Sequence, residues 1–262
     1  RLHAHVAHQA LQRVQKGDFA RRLPICWGAE FDTMARSFNS MTASAEEGRI
    51  LGKFVSGSTL ALLSTGQGSE AKLSGTNQHV VAMFVELAGF KLVLKSRHPE
   101  WIVEKVNWYF ETLSRIIRRH GGEIDKFIGD KILAVFRDEE NGSSTSRYQR
   151  AIEAALEMKR SIQHEVHRLE MDLGVGIVSG PVLAGVMGTQ SVRLEFTVIG
   201  DTVNLASRLA DVAGCLPEGG IVVERALVDA LRESGWGGAF ESLPVKTVKG
   251  KKREVEVFRL NA

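Results

Sequence analysis

Two polar side chains in the stretch EFTVIGDTVNLASRL, residues 195–209, are spaced so that both could bind one phosphate-bearing ligand. The stretch predicts a strand, a Gly-Asp turn and a helix, with Asn204 and Arg208 one helical turn apart. A corner between a strand and a helix is a common place for protein groups to meet a phosphate. The planar guanidinium of Arg208 suits phosphate oxygens. The alternative is that both residues belong to a solvated helix face.

Two carboxylates are predicted at neighbouring strand ends. Glu86 lies at the end of an otherwise apolar strand, and Asp130 lies at the tip of a hairpin in EIDKFIGDKILAVF. Such a pair could hold two Mg²⁺ or Mn²⁺ ions, because hard cations prefer oxygen ligands. For Asp130 the alternative is an ordinary turn-forming role. For Glu86 an acid within VVAMFVEL must be paired, exposed or liganded.

The elements that must position these residues alternate along the chain. The order is strand, helix, hairpin, helix, strand, which predicts an α+β, ferredoxin-like βαββαβ palm-type domain. Its antiparallel sheet would carry both helices on one face. The apolar stripes that face the sheet are Ile102, Val106, Tyr109, Leu113 and Ile116 on the first helix, and Ala151, Ala155, Met158, Ile162 and Val166 on the second.

Composition excludes several classes of protein. The 262 residues are 44% hydrophobic and 25% charged, with a net charge of +3, which argues against a general nucleic-acid or membrane-surface binder. The cysteines Cys26 and Cys215 form no CxxC pair, so a disulfide framework and a thiolate zinc site are disfavoured and a reducing cytosolic compartment fits best. No apolar run is long enough to span a bilayer, and no signal peptide is present.

The amino-terminal region carries two heptad series, each of which predicts a helix with one apolar seam. Two short helices of one chain cannot bury both seams, so a parallel four-helix bundle made by two chains is the simplest solution. An ordinary helical hairpin packed on the main domain is the alternative. The two seams comprise Ala4, Ala7, Leu11 and Val14, and Phe31, Met34, Phe38, Met41 and Ala45.

The segments VQKGDFARRLP and AEFDTMARSFNSM resemble a HAMP signal-relay module, whose connector carries a Gly-Asp pair and whose second helix carries FNxM. In that family the module directly follows a transmembrane helix. The resemblance therefore implies the cytoplasmic portion of an inner or plasma membrane protein, attached through an upstream transmembrane segment that is missing from this sequence.

The heptad series breaks where it reaches Gly48 and Gly52. The apolar residues beyond, which include Phe54 and Val55, follow a shifted register, so the segment either changes phase or ends as a helix near Gly48. Residues 64–78, STGQGSEAKLSGTNQ, form a polar, Gly-rich linker. The predicted domains are a HAMP domain at 1–47, a transducer helix and linker at 48–78, and a catalytic domain at 79–262.

Residues 79–260 resemble the catalytic domain of class III adenylyl and guanylyl cyclases. Three motifs in the right order carry the resemblance: MFVELAGF stands in place of the family strand LFADIxGFT, and DKFIGDKILAVF and FTVIGDTVNLASRL match the next two. The resemblance implies an adenylyl cyclase that converts ATP to cyclic AMP and pyrophosphate at a homodimer interface, gated by the HAMP module. It assigns metal binding to Glu86 and Asp130, adenine reading to Lys126 and Thr197, and transition-state contacts to Asn204 and Arg208.

The same resemblance places further groups near the triphosphate. Phe90 and Lys91 end the first motif, where GFK replaces the family's GFT. Arg193 is a candidate for phosphate binding on similar grounds. The stretch VKGKKREVEV resembles the family's closing basic hairpin, in which a lysine reaches the triphosphate. Lys249 is the first candidate for that lysine and Lys251 the second, and the alternative is a solvated edge hairpin. Guanine-selective members carry Glu and Cys at the purine-reading positions, so ATP is favoured over GTP.

Two departures leave a second function open. Lys91 stands where the family has a small hydroxyl residue beside the triphosphate, and its cation could bind phosphate or block the site. The family's first metal ligand is Asp, whereas this chain has Glu86, and one extra methylene moves a carboxylate by about an ångström. The alternative function is a catalytically weak or silent, cyclase-like regulator that binds nucleotide. For the enzyme, two Mg²⁺ or Mn²⁺ ions are expected in each active site.

Overall fold

The computed structural model describes residues 2–25, 28–52, 75–138, 146–163, 171–189, 193–244 and 255–261. The chain divides into two compact units, Arg1–Ser56 and Gly57–Ala262. Within the described ranges, no helix combines the length and the apolar character needed to cross a bilayer.

The first unit contains two helices, α1 (Leu2–Gln15) and α2 (Ala29–Leu51). The side chain of Asn39, in the FNxM motif, accepts a hydrogen bond from the Leu23 backbone N–H at 2.7 Å and donates one to the Leu23 carbonyl at 2.9 Å. Helix α2 continues past Gly48 to Leu51, and the shifted series at Phe54 and Val55 lies outside the described residues. A small core holds this unit together: Ala7, Ala10, Leu23, Ala35 and Phe38.

Much of the predicted heptad seam remains exposed within one chain. The side chains of Leu11, Met34 and Met41 are 44–51% exposed, whereas Ala35 beside Met34 is fully buried. The hairpin therefore buries only part of its apolar surface by itself. The four-helix bundle of two chains stays a prediction.

The second unit is built on one eight-stranded sheet. The strands are β1 (Gly75–Ala88), β2 (Glu123–Ile128), β3 (Lys131–Phe136), β4 (Asp172–Thr189), β5 (Arg193–Ile199), β6 (Gly220–Glu224), β7 (Phe240–Ser242) and β8 (Val257–Leu260). Their order in the sheet is β2-β3-β1-β4-β6-β8-β7, and β5 pairs with β4 outside that path. The helices are α3 (Phe90–Ser96), α4 (Pro99–Arg119), α5 (Arg147–Gln163), α6 (Asp201–Gly214) and α7 (Arg225–Glu233).

The βαββαβ order predicted from the sequence is confirmed by β1, α4, the β2–β3 hairpin, α5 and β4. Strand β1 lies at the centre and pairs antiparallel with both β3 and β4. Helices α4 and α5 pack on the same face of the sheet, as predicted, and their residues share one core with alternate residues of β1. That core includes Tyr109, Leu113, Ile116, Ala151, Ala155, Met158 and Ile162 from the helices, and Val81, Met83 and Val85 from β1.

Helix α6 covers the opposite face of the sheet, and glycines in β4 allow it to approach closely. A Cβ atom added to Gly176 would lie 2.2 Å from the Ala206 carbonyl oxygen and 2.3 Å from the Ala210 nitrogen. Neither atom can move without moving the helix backbone. Gly174 meets the last turn of α6 in the same way, at 2.7 Å from the nitrogen of Gly214. Glycine at these positions therefore fixes where α6 lies.

We expect Gly176→Ala to destabilise the second unit by about 3 kcal/mol, because the new methyl group must push α6 off the sheet. Urea unfolding of the purified chain measures this change. The control is Gly237→Ala, since a Cβ atom added at Gly237 meets nothing within 4 Å and its effect should stay within about 0.5 kcal/mol. Equal unfolding midpoints for the two variants would contradict the close contact.

Candidate active site

Helix α6 presents the predicted phosphate-binding pair at the surface. The helix begins after Gly200, whose carbonyl accepts a hydrogen bond from the Asn204 backbone N–H at 3.1 Å, and the Thr202 hydroxyl anchors the first turn to the Pro181 carbonyl at 2.7 Å. The side chain of Asn204 is exposed and that of Arg208 is half-buried. Among the described residues, the guanidinium of Arg208 has neither an ion-pair partner nor a hydrogen-bond partner. It is available for a ligand.

A cleft of about 410 Å³ lies beside the first turns of α6. It brings together Lys126 from β2, Thr197 from β5 and Asn204 from α6, three residues that the sequence analysis predicted for one site. Apolar side chains form much of the remaining wall, which suits a flat heterocyclic ring. The other lining residues are Phe84, Ile128, Lys131, Leu133, Val198, Ile199, Val203 and Ser207.

Behind the cleft lies a buried acid that the sequence analysis missed. The Thr197 hydroxyl donates a hydrogen bond of 2.9 Å to Asp125 Oδ2, and Lys126 Nζ lies 3.6 Å from the same oxygen. The Asp125 side chain is only 4% exposed. Burial raises the pKa of Asp125, while the hydrogen bond from Thr197 and the charge of Lys126 act to lower it. Lys126 also pairs with Glu195 at 3.0 Å.

Asp125 reaches this position because β2 contains a bulge. The pairing with β3 runs Ile124 to Ala134 and then Lys126 to Leu133, which leaves Asp125 as the extra residue. A bulge re-aims side chains relative to a regular strand. The signal available from the sequence was an acid within a short strand, flanked by Ile124 and the predicted Lys126.

The two predicted metal ligands lie towards the same end of the central strand. Glu86 of β1 is the direct partner of Lys131 in the β1–β3 register, so Asp130 lies in the turn next to it. The pKa of the buried Tyr109 hydroxyl is raised well above its ordinary value by burial, and further by the charges of Asp130 and Glu86. Both acids therefore act on this hydroxyl. That hydroxyl has no hydrogen-bond partner in the described part of the chain.

Lys131 and Asp211, which the sequence analysis did not single out, form a network with Glu86. Lys131 Nζ lies 2.7 Å from Glu86 Oε2 and 2.5 Å from Asp211 Oδ1 of α6. Burial acts to lower the pKa of Lys131, but the carboxylates of Asp211 and Glu86 outweigh it and raise that pKa. Burial raises the pKa of Glu86, and the ammonium of Lys131 offsets part of this rise. The lysine is therefore protonated at neutral pH and holds the acid.

The carboxylates at this end of β1 suit a hard divalent cation, although one of them already binds a lysine. Mg²⁺ and Mn²⁺ are commonly held by one or two carboxylates, with water and substrate phosphates completing the coordination. Asp130 and Glu86 supply two carboxylates, and the described residues include no group of three or more His, Cys, Asp or Glu suited to a metal. However, Lys131 binds one Glu86 oxygen, and Gly214 packs against the other. The ammonium of Lys131 therefore competes with a metal ion for Glu86.

Among the other predicted residues whose side chains the structure describes, Phe90 and Lys91 are not part of the cleft lining. Phe90 packs against the core under α4 and α5, and Lys91 is exposed in the first turn of the short helix α3. Arg193 begins β5, opposite Thr189 of β4. Both lysines of the closing basic stretch, Lys249 and Lys251, lie outside the described residues.

The sequence of the second unit is similar to a known family of catalytic domains. Residues 73–262 match the model of the adenylate and guanylate cyclase catalytic domain. An uncharacterized protein of Mycobacterium bovis is 30% identical over 238 residues, and one of Mycobacterium tuberculosis is 31% identical over 222 residues. These alignments cover 87% and 81% of this chain but only 41% and 37% of the relatives. The chain thus spans about two fifths of the length of these curated relatives.

Solved structures show the same fold. The adenylyl cyclase CyaB from P. aeruginosa superposes with a TM-score of 0.65 at 23% identity, over 72% of this chain and 97% of that one. A bacterial light-regulated adenylyl cyclase gives 0.75 at 23% identity, over 87% and 65%. The guanylyl cyclase Cya2 gives 0.60 at 26% identity, over 72% and 94%. With 190 of its 262 residues matched by the family model, this chain belongs to the adenylate and guanylate cyclase catalytic-domain family.

Proposed function

We propose that this chain is an adenylyl cyclase, which converts ATP to cyclic AMP and pyrophosphate. The observation that carries the proposal is the single cleft that joins Lys126, Thr197 and Asn204. One turn further along α6 lies Arg208, whose guanidinium has no partner among the described residues. A base can enter the apolar end of this cleft while the ribose and phosphates extend towards α6. The adenylyl cyclases among the structural neighbours share the fold on which this arrangement is built.

The base-reading end of the cleft offers a donor and an acceptor. The ammonium of Lys126 can only donate hydrogen bonds, so it suits the N1 acceptor of adenine. The Thr197 oxygen lies beside it and can accept from the 6-amino group. Phe84, Leu133 and Val203 supply the apolar surface on which the ring rests. Binding requires Lys126 to exchange some of its contact with Glu195 for contact with the base.

The reaction is an internal substitution at the α-phosphorus. The 3′-oxygen of ATP forms a bond to that phosphorus, the bond to the bridging oxygen breaks, and pyrophosphate leaves with the electron pair, while the 3′-hydroxyl proton passes to solvent. Asn204 holds the ribose so that the 3′-oxygen is in line. Arg208 donates to the phosphoryl and leaving oxygens as they gain negative charge. When bound at Asp130 and Glu86, divalent ions would acidify the 3′-hydroxyl and neutralise the triphosphate.

A complete site requires a second copy of the chain. The metal-binding acids of one subunit would face Lys126, Thr197, Asn204 and Arg208 of its partner, so that a symmetric homodimer holds two sites. Residues 1–47 act as a HAMP-type relay in this proposal. The exposed seam residues Leu11, Met34 and Met41 support it, because their apolar surface is available to a second hairpin. Attachment to a membrane through an upstream segment belongs to the same proposal.

One observation favours a second function. Glu86 is held by Lys131 and packs against Gly214, so the first metal ligand is already committed within the chain. A protein that never released this acid would bind nucleotide without cyclising it, and would act as a nucleotide-sensing regulator. The uncommitted Arg208 favours the enzyme, because a binding module has no need of a group that serves the transition state.

Arg208→Ala should lower the turnover number for cyclic AMP formation about 100-fold and change ATP affinity by less than about threefold, because the lost contact strengthens only as charge develops. Cyclic AMP and pyrophosphate are measured after incubation with ATP and Mn²⁺, and affinity is measured with 3′-deoxy-ATP, which cannot cyclise. The control is Arg160→Ala, an exposed arginine in the last turn of α5. Tight binding by the unsubstituted chain without any product would support the regulator instead.

Two inactive variants should restore activity when they are mixed. Arg208→Ala disables the phosphate-binding half, and Asp130→Ala disables the metal-binding half, so a mixed dimer keeps one intact site. Half of the dimers in an equimolar mixture are mixed, and each has one working site of two, which predicts about a quarter of the unsubstituted activity. Activity no higher than that of the separate variants would contradict a site shared between subunits.

Lys131→Met should increase Mn²⁺ affinity about tenfold, which corresponds to about 1.4 kcal/mol, because the ammonium no longer competes for Glu86. Electron paramagnetic resonance of free Mn²⁺ measures this affinity in the presence of 3′-deoxy-ATP. Loss of the ion pair is also expected to lower the melting temperature, and Mn²⁺ should restore it more in the variant than in the unsubstituted chain. The control is Lys105→Met, which removes a lysine paired with Glu104 at 2.9 Å. Unchanged Mn²⁺ affinity would show that Lys131 does not compete.

A further inference from the structure

The hydrogen bond between Thr197 and Asp125 has a fixed direction. An ionised carboxylate can only accept hydrogen bonds, so the proton in the 2.9 Å contact must come from the Thr197 hydroxyl. A hydroxyl has one proton and two lone pairs. Once its proton is committed to Asp125, the Thr197 oxygen can only accept a hydrogen bond from a ligand in the cleft.

The surroundings of Asp125 keep that direction. Its side chain is 4% exposed, so bulk water does not compete for the oxygen that Thr197 binds. Lys126 Nζ, 3.6 Å from the same oxygen, favours the ionised form. The bulge at Asp125 places this carboxylate behind Thr197, whose side chain faces the cleft. Asp125 itself does not line the cleft.

We propose that Asp125 is a specificity-determining residue that selects 6-amino over 6-oxo purine nucleotides, by holding the Thr197 hydroxyl as an acceptor. Adenine presents an amino donor at position 6, whereas guanine and hypoxanthine present an oxygen acceptor there. A 6-oxo group would direct its lone pairs at the lone pairs of Thr197. A freely rotating hydroxyl would turn and donate instead, and would discriminate little. Asp125 thus acts through Thr197 as a positioning residue.

This inference rests on the proposed nucleotide site, but its test does not need cyclisation. Affinities are measured by calorimetry with the 3′-deoxy forms of ATP and inosine triphosphate, which differ at the 6-position and at the adjoining N1. The ratio of the two affinities is compared in the unsubstituted chain, Asp125→Ala, Thr197→Val and the double variant. The double-mutant cycle separates an effect through Thr197 from any other effect of Asp125.

With Thr197 present, Asp125→Ala should reduce the preference for the adenine nucleotide about tenfold, since one charge-assisted hydrogen bond fixes the acceptor. In the Thr197→Val background the same substitution should change the ratio less than about twofold, because no hydroxyl remains to orient. Equal changes in both backgrounds would overturn the inference and point to an effect through Lys126. An unchanged ratio with Thr197 present would overturn it as well.

A second measurement does not depend on whether Asp125→Ala folds, because it uses only the unsubstituted chain. On the unsubstituted chain, affinity should fall from the 6-amino nucleotide to purine riboside triphosphate, which has only hydrogen at position 6, and fall again to the 6-oxo nucleotide. A 6-oxo nucleotide that binds as tightly as the 6-amino form would overturn the inference, and so would a chain that binds neither. Selective binding without cyclic AMP production would contradict the proposed enzyme and leave the role of Asp125 supported.

Discussion

The close contact between the backbones of β4 and α6 is the constraint on which the rest of the site depends. Gly176 and Gly174 leave no room for a side chain, so α6 lies directly on the sheet beside β1. The start of the helix then carries Asn204 to the cleft, and Arg208 follows one turn further along. Its end brings Gly214 against the Glu86 carboxylate, while Asp211 reaches Lys131. This one packing contact therefore positions the predicted phosphate-binding side chains and also determines what surrounds Glu86.

Each buried acid near the cleft already has a cationic partner in the same chain. Asp125 lies beside Lys126, and Glu86 binds Lys131. Unpaired carboxylates at this depth would be costly, and the alternative would be protonation. In the proposed enzyme, ligand binding at these two lysines would exchange partners. A base would compete with acids for Lys126, and a divalent ion would compete with Lys131 for Glu86. The net free energy of binding is a difference between two sets of contacts, which makes the site sensitive to small changes in either.

The sequence predicted the βαββαβ core because its signals are local. The apolar stripe of α4, the Gly-Asp hairpin tip and the apolar run of β1 each specify their element within 20 residues or so. It also placed Lys126, Thr197 and Asn204 in one site through the family resemblance. Asp125 was not predicted because its position depends on a bulge, which the periodicity of the sequence does not reveal. Its position also depends on a contact between β2 and β5 that joins residues 72 apart in the chain. The Lys131–Asp211 contact, 80 residues apart, similarly depends on register and helix docking.

The two ends of the site differ in how many of their contacts are already formed in the absence of a ligand. At the base end, Asp125 and Thr197 are buried and bonded, so the acceptor is in place and little ordering remains to be done on binding. At the phosphate end, Arg208 has no partner among the described residues, and Lys131 holds one oxygen of Glu86. In the proposed enzyme, recognition of the base would not depend on assembly of the reacting end, and a relay that moves two subunits relative to each other would act on that assembly. Such a relay would regulate turnover far more than nucleotide affinity, because the base contacts lie within one subunit.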